Sequence, residues 1–110
     1  MSRRDKAIAI EPLLEVLNNL TEAPVVRAYA AEALGFIRDA SAIESLIRFL
    51  EDSSPSVRYM CAYAIGELGV VNQIPALEVL LTDKGVFETW GTVAEAAKEA
   101  IETLTRTCLV

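Results

Sequence analysis

Apolar residues return at helical spacing in two kinds of segment that alternate along the chain. In the first kind they fall at +4, +7, +8 and +11 from a valine. From Val26 they are Ala30, Ala33, Leu34 and Ile37; from Val57, Cys61, Ala64, Ile65 and Leu68; from Val93, Ala97, Ala100, Ile101 and Leu104. That spacing is one stripe of an α-helix. The second kind reads AIEPLLEVL, AIESLIRFL and QIPALEVLL, with apolar residues at +3, +6 and +7 from Ile10, Ile43 and Ile74. These too are amphipathic helices, and Pro12 and Pro75 are expected in their first turns, where a missing N–H costs least.

The valine-led segments are copies of one another. PVVRAYAAEALGFI, from Pro24, and PSVRYMCAYAIGEL, from Pro55, lie 31 residues apart and share six of 14 positions, Arg27/Arg58 and Gly35/Gly66 among them. The copy led by Val93 keeps only the apolar positions. Two helices recurring at this period, with small residues on one face of each valine-led helix, predict an α-solenoid rather than a four-helix bundle. The expected fold is all-α, three helical pairs making six helices. It forms one domain over residues 1–110, with units near 8–37, 40–69 and 73–105 and a loop insertion over 83–92.

The pattern VRxxAAxALGxIRDxxAIxxLIxxLED, spelled by Val26 to Asp52, resembles the short HEAT repeat, in particular the variety named after phycobilisome (PBS) lyases. The resemblance runs from about Ile10 to Leu104 and implies a right-handed superhelical stack. It also implies a non-catalytic module, a small adaptor or scaffold that binds another protein. An alternative that follows from the same resemblance is a subunit or relative of a bilin lyase, or another bilin-handling protein, with a tetrapyrrole as its ligand. The fold is permissive for function, so the residues must decide.

Charge and composition narrow the choice. A formal net charge of −6 disfavours nucleic acid and anionic membrane surfaces, which require clustered positive charge. No apolar run is long enough to span a membrane, and the N-terminal residues do not read as a signal peptide, so the expected location is cytoplasmic. Histidine is absent, which removes Ser-His-Asp and Cys-His nucleophile systems and His-bearing zinc sites. The HEAT-like di-iron hydroxylase carries His-Glu pairs in its repeats, and the lack of histidine sets that resemblance aside. The HEAT-like DNA glycosylase works through a basic concavity, which this acidic chain does not offer. No cofactor and no metal site is expected.

Several side chains have candidate roles. Arg27 and Arg58 are expected to pair with Asp39, Asp52 or Asp83 at the inter-helix turns, a ladder that HEAT-like proteins use to join successive repeats; Ala94 occupies the third position. Carboxylates of the second helix type, such as Glu44 and Glu78, read as a solvated face. Cys61 takes the place of an alanine in the stripe and is expected to pack as a small apolar residue, with Cys108 more exposed. Tyr29, Phe36, Tyr59, Met60 and Tyr63 are expected on the outward side of the valine-led helices, where Tyr59, Met60 and Tyr63 are candidates for partner contact.

The segment TDKGVFETWGTV interrupts the repeat. Leu81 to Val93 spans 12 residues where Leu50 to Val57 spans seven, and Thr89 or Thr92 is positioned to cap the last helix. Phe87 and Trp90 either fold back to shield the last core layer or project as a binding hot spot. At the other end, Ile8, Ile10, Leu13, Leu14, Val16 and Leu17 form an apolar set wider than one neighbour needs. Two expectations follow from it as alternatives, self-association through a solenoid end or docking of that end on a larger partner.

Overall fold

Two of the three valine-led helices begin with proline. Pro24 and Pro55 stand at the starts of helices Pro24–Ile37 (α2) and Pro55–Leu68 (α4), where the missing proline N–H has no intrahelical partner to lose. The third helix of this kind is Val93–Leu109 (α6), opened by a reciprocal cap. Thr92 Oγ1 accepts from Glu95 N at 3.1 Å, and Thr92 N donates to Glu95 Oε1 at 2.9 Å, a pairing that satisfies two orphan donors at once. Of the two threonines suited to this cap, Thr92 is the one used.

The computed structural model describes residues 2–109. Its second helix type comprises Arg3–Asn18 (α1), Ile43–Arg48 (α3) and Ile74–Glu78 (α5). The last two are short α segments flanked by 3₁₀ turns. The six α-helices stand in two layers. α4 packs between α2 and α6 in one layer, and α1, α3 and α5 back them in the other. The result is the expected all-α stack of three pairs.

Two details differ from the sequence expectation. α1 begins at Arg3, capped by the Ser2 hydroxyl, which accepts from Asp5 N. Pro12 therefore lies inside the helix rather than in its first turn, removing the amide that would bond the Ile8 carbonyl. The insertion is also not an irregular loop. Val86–Phe87 (β1) and Gly91–Thr92 (β2) pair antiparallel, with Val86 opposite Thr92 and Phe87 opposite Gly91. Gly91 closes this hairpin at φ 125°, a backbone conformation that favours glycine.

Helix spacing is set by the glycine shared between the repeats. A Cβ on Gly35 would lie 2.9 Å from Ala64 Cα, and one on Gly66 would lie 2.9 Å from Ala100 Cα. α2, α4 and α6 therefore approach almost backbone to backbone. Around these contacts Leu17, Leu34, Leu46, Val57, Met60, Cys61, Ile65, Leu77, Val93 and Leu104 are fully enclosed. Ala33, the stripe residue in α2 that corresponds to Ala64, is only partly covered. Among the described residues no helix is long and apolar enough to cross a membrane.

Candidate protein-binding surface

Arginines tie the repeats together through their turns. Arg27 Nη2 meets Asp52 Oδ1 at 2.8 Å while its Nε donates to the Leu17 carbonyl at 2.9 Å. Arg58 repeats the arrangement. Its Nε and Nη2 bracket the two carboxyl oxygens of Asp83 at 2.8 and 3.1 Å, and its Nη1 donates to the Asp52 carbonyl at 2.8 Å. Each guanidinium thus joins a backbone carbonyl, of Leu17 at the end of α1 or of Asp52 in the turn before α4, to the aspartate of the next turn. The fork geometry suits a carboxylate better than a point charge would. Arg27 is buried and lies 5.0 Å over the Phe49 ring, so the reach of an external anion is closed off.

Asp39 stands apart from this ladder. It is at the turn after α2, where its carboxylate accepts from Ser41 N at 2.9 Å, and that bond holds its pKa below the usual value. The aspartate position of the first turn is filled by Asn19 instead, which accepts from Thr21 N at 3.1 Å just as Asp52 accepts from Ser54 N at 2.9 Å. Asn19 was not singled out in the sequence because an amide carries no charge for an arginine.

The outward residues divide sharply. Tyr59 and Met60, expected on the surface, are buried. Met60 follows Tyr29 by one repeat, on the side of α4 that α2 covers. Tyr59 corresponds to Ala28, and its ring is covered by the hairpin. The Tyr59 hydroxyl donates to the Trp90 carbonyl at 3.2 Å, and burial, with Glu99 and Glu95 nearby, raises the phenol pKa. Tyr63 is half-buried and meets Phe36 edge-on at 6.2 Å. Met60 therefore presents nothing to a partner, and Tyr59 presents little.

Within the hairpin, Phe87 and Trp90 differ in exposure. Phe87 is buried, with ring centroids 5.8 Å from Tyr59 and 6.1 Å from Tyr29. These residues belong to the second and first repeats, so the insertion covers the outer flank of earlier repeats rather than the last core layer. Trp90 stacks on Phe87 at 6.2 Å with 22° between the planes and remains 46% exposed. Val86, also exposed, lies on the same hairpin. The hairpin is held from below: Gly85 N donates to Asp83 Oδ1 at 2.9 Å, and Val93 N donates to the Gly85 carbonyl at 2.9 Å. A ladder aspartate thus also fixes the base of the aromatic hairpin.

The hollow between α4 and α6, lined by Tyr59, Tyr63, Glu67 and Glu99, measures about 80 Å³, against roughly 300–1,000 Å³ for small-molecule sites. Among the described residues no three His, Cys, Asp or Glu side chains converge as metal ligands would. Cys61 is enclosed, and burial pushes its thiol far above the ordinary range. The Cys108 side chain, expected to be exposed, lies outside the described residues.

Comparison with known proteins agrees with the architecture. Residues 10–102 match the family described as HEAT repeats. Deoxyhypusine hydroxylase-B of Oryza sativa subsp. japonica is 40% identical over 72 residues, which is 66% of this chain and 24% of that protein. The deoxyhypusine hydroxylase of Gibberella zeae is 33% identical over 93 residues, 84% of this chain and 24% of its own length. That of Gallus gallus is 42% identical over 65 residues, 59% and 21% respectively. The chain thus spans about a quarter of the length of these relatives. A hydroxylase resemblance, set aside on the missing histidine, returns here as sequence similarity, and these relatives lend no support to a bilin-lyase kinship.

Proposed function

Because this chain belongs to the HEAT-repeat family, we propose that it serves as a non-catalytic protein-interaction module whose contact surface is built on the aromatic hairpin. The observation that carries the reading is Trp90, an exposed tryptophan whose ring stacks on Phe87 and whose carbonyl accepts from the Tyr59 hydroxyl. A large apolar side chain already fixed in place loses little conformational entropy on binding, which is what an interface anchor requires. The arginine–aspartate ladder makes the surface beneath it rigid, and the surrounding glutamates supply a polar rim.

The relatives are named as hydroxylases, and that similarity raises the question of turnover by this chain. Its own residues supply no imidazole, and the described carboxylates do not converge, so the residues present support binding rather than chemistry. Two measurements test the proposal. A protein captured on the immobilised wild-type chain is expected to bind at least about tenfold more weakly to Trp90→Ala, a loss of about 1.4 kcal/mol. Retention at full strength overturns the hairpin as the contact surface, and hydroxylation of a peptide substrate by the purified chain overturns the non-catalytic reading.

A further inference from the structure

The two ends of the stack differ in kind. α6 turns Ala100 toward Gly66 of α4 and exposes Glu95, Lys98, Glu99 and Glu102 along its other side. That side is charged throughout. α2 has the opposite character. Its Gly35 faces α4, and its opposite flank carries exposed Val26, Tyr29 and Phe36 beside Ala33, with Tyr29 touching Phe87 of the hairpin and Phe36 meeting Tyr63 of α4 edge-on at the rim.

One repeat later the same positions are Val57, Met60, Ala64 and Glu67. Val57 is 0% and Met60 1% exposed on the side of α4 that packs against α2, whereas Val26 is 42% and Tyr29 45% exposed. The open face of α2 therefore repeats, at Val26 and Ala33 and with Tyr29 in place of Met60, a surface that the fold buries when a neighbouring helix is present, whereas Phe36 stands where the half-exposed Glu67 does. It also keeps the small central residue, Ala33 in place of Ala64, that permits close approach between helices.

We propose that this face docks on the same face of a second copy of the chain, α2 against α2 about a twofold axis. Head-to-tail stacking is disfavoured by the molecule itself, because it would press the charged side of α6 onto apolar residues and desolvate Glu95, Glu99 and Glu102 without partners. An antiparallel pairing centred between Tyr29 and Ala33 places Tyr29 of one copy opposite Ala33 of the other, large against small, and Val26 opposite Phe36. The same register brings Glu22, just before α2, toward Arg38, just after it. Arg38 already meets Glu67 of its own chain through Nη2 at 2.8 Å, and its guanidinium is exposed enough to take a second carboxylate, so opposite charges flank the apolar stripe at both rims. This inference goes beyond the hairpin surface and does not depend on it.

Sedimentation equilibrium of the full chain is expected to show a concentration-dependent species of twice the 12.0 kDa chain mass and nothing larger. Val26→Glu is expected to raise the dissociation constant at least about tenfold, whereas Val79→Glu, at an exposed position just after α5, leaves it unchanged. Phe36→Glu, at a more exposed position on the same face, serves where Val26→Glu fails to keep its helical circular dichroism. On the wild-type chain itself, hydroxyl-radical labelling of Tyr29 and Phe36 is expected to fall as concentration rises. A monomer at every concentration, an open series of larger species, a dimer unaffected by the α2 substitutions or equally weakened by Val79→Glu, or labelling protection located elsewhere overturns the proposal.

Discussion

At the residue scale, two small side chains carry more than their size suggests. Gly66 stands where a Cβ would fall 2.9 Å from both Cα and Cβ of Ala100, and backbone cannot yield as a flexible side chain can. Gly66→Ala is therefore expected to destabilise the protein by about 1–3 kcal/mol through overpacking, read as a lowered urea midpoint, even though alanine is the better helix former. Cys61 is expected to resist alkylation in the native state, because its thiol is enclosed and its pKa is raised by burial. Mass spectrometry should locate modification at residue 61 only after denaturant is added, and rapid native labelling there would contradict the packing.

At the scale of elements, the turns between helices do the joining. Asp83 accepts from Arg58 and from Gly85 N, and these bonds, the arginine first, hold its carboxyl below the ordinary value. A carboxylate depressed in the folded state stabilises the fold fully above its unfolded pKa of about 3.9 and loses that contribution as pH falls through the lower folded value. Asp83→Asn is expected to lower the urea midpoint at pH 7 and to reduce its fall between about pH 4 and pH 2. Some acid sensitivity remains in that variant, because the Asp39 and Glu95 carboxyls are likewise depressed. Equal slopes for wild type and variant would show that the ladder contributes nothing at this turn.

At the scale of the whole molecule, the hairpin departs from nearest-neighbour stacking. Repeat proteins gain stability from each unit and from adjacent interfaces, yet Phe87 of the third repeat meets Tyr29 of the first. That contact couples the ends of the array, so the chain is expected to unfold in one transition, with far-UV circular dichroism and the fluorescence of its single tryptophan coinciding. Phe87→Ala removes a buried ring and is expected to cost about 3–5 kcal/mol. It is also expected to separate the two signals, with the tryptophan transition moving to lower denaturant first. Coincident transitions in the variant would show that coupling runs through the helices alone.

The sequence by itself determined the two helix types, their alternation, the glycine-bearing faces and the presence of the insertion, because each of these depends on local periodicity or on a length measured against a repeat. It also carried the arginines and aspartates of the ladder as candidates, but Asp39 and Asp52 stand in similar local sequence. Both accept from an amide two residues on, and only the stacking of one turn on the next distinguishes the aspartate that also meets Arg27. Tertiary structure alone decided that Tyr59 and Met60 are inside, since a helical wheel shows which residues share a face and not which neighbour covers it. The insertion illustrates the same boundary. Its five extra residues are countable in the sequence, whereas the path that seats Phe87 between Tyr29 and Tyr59 while leaving Trp90 partly exposed arises from contacts 28 to 58 residues apart that no local pattern encodes.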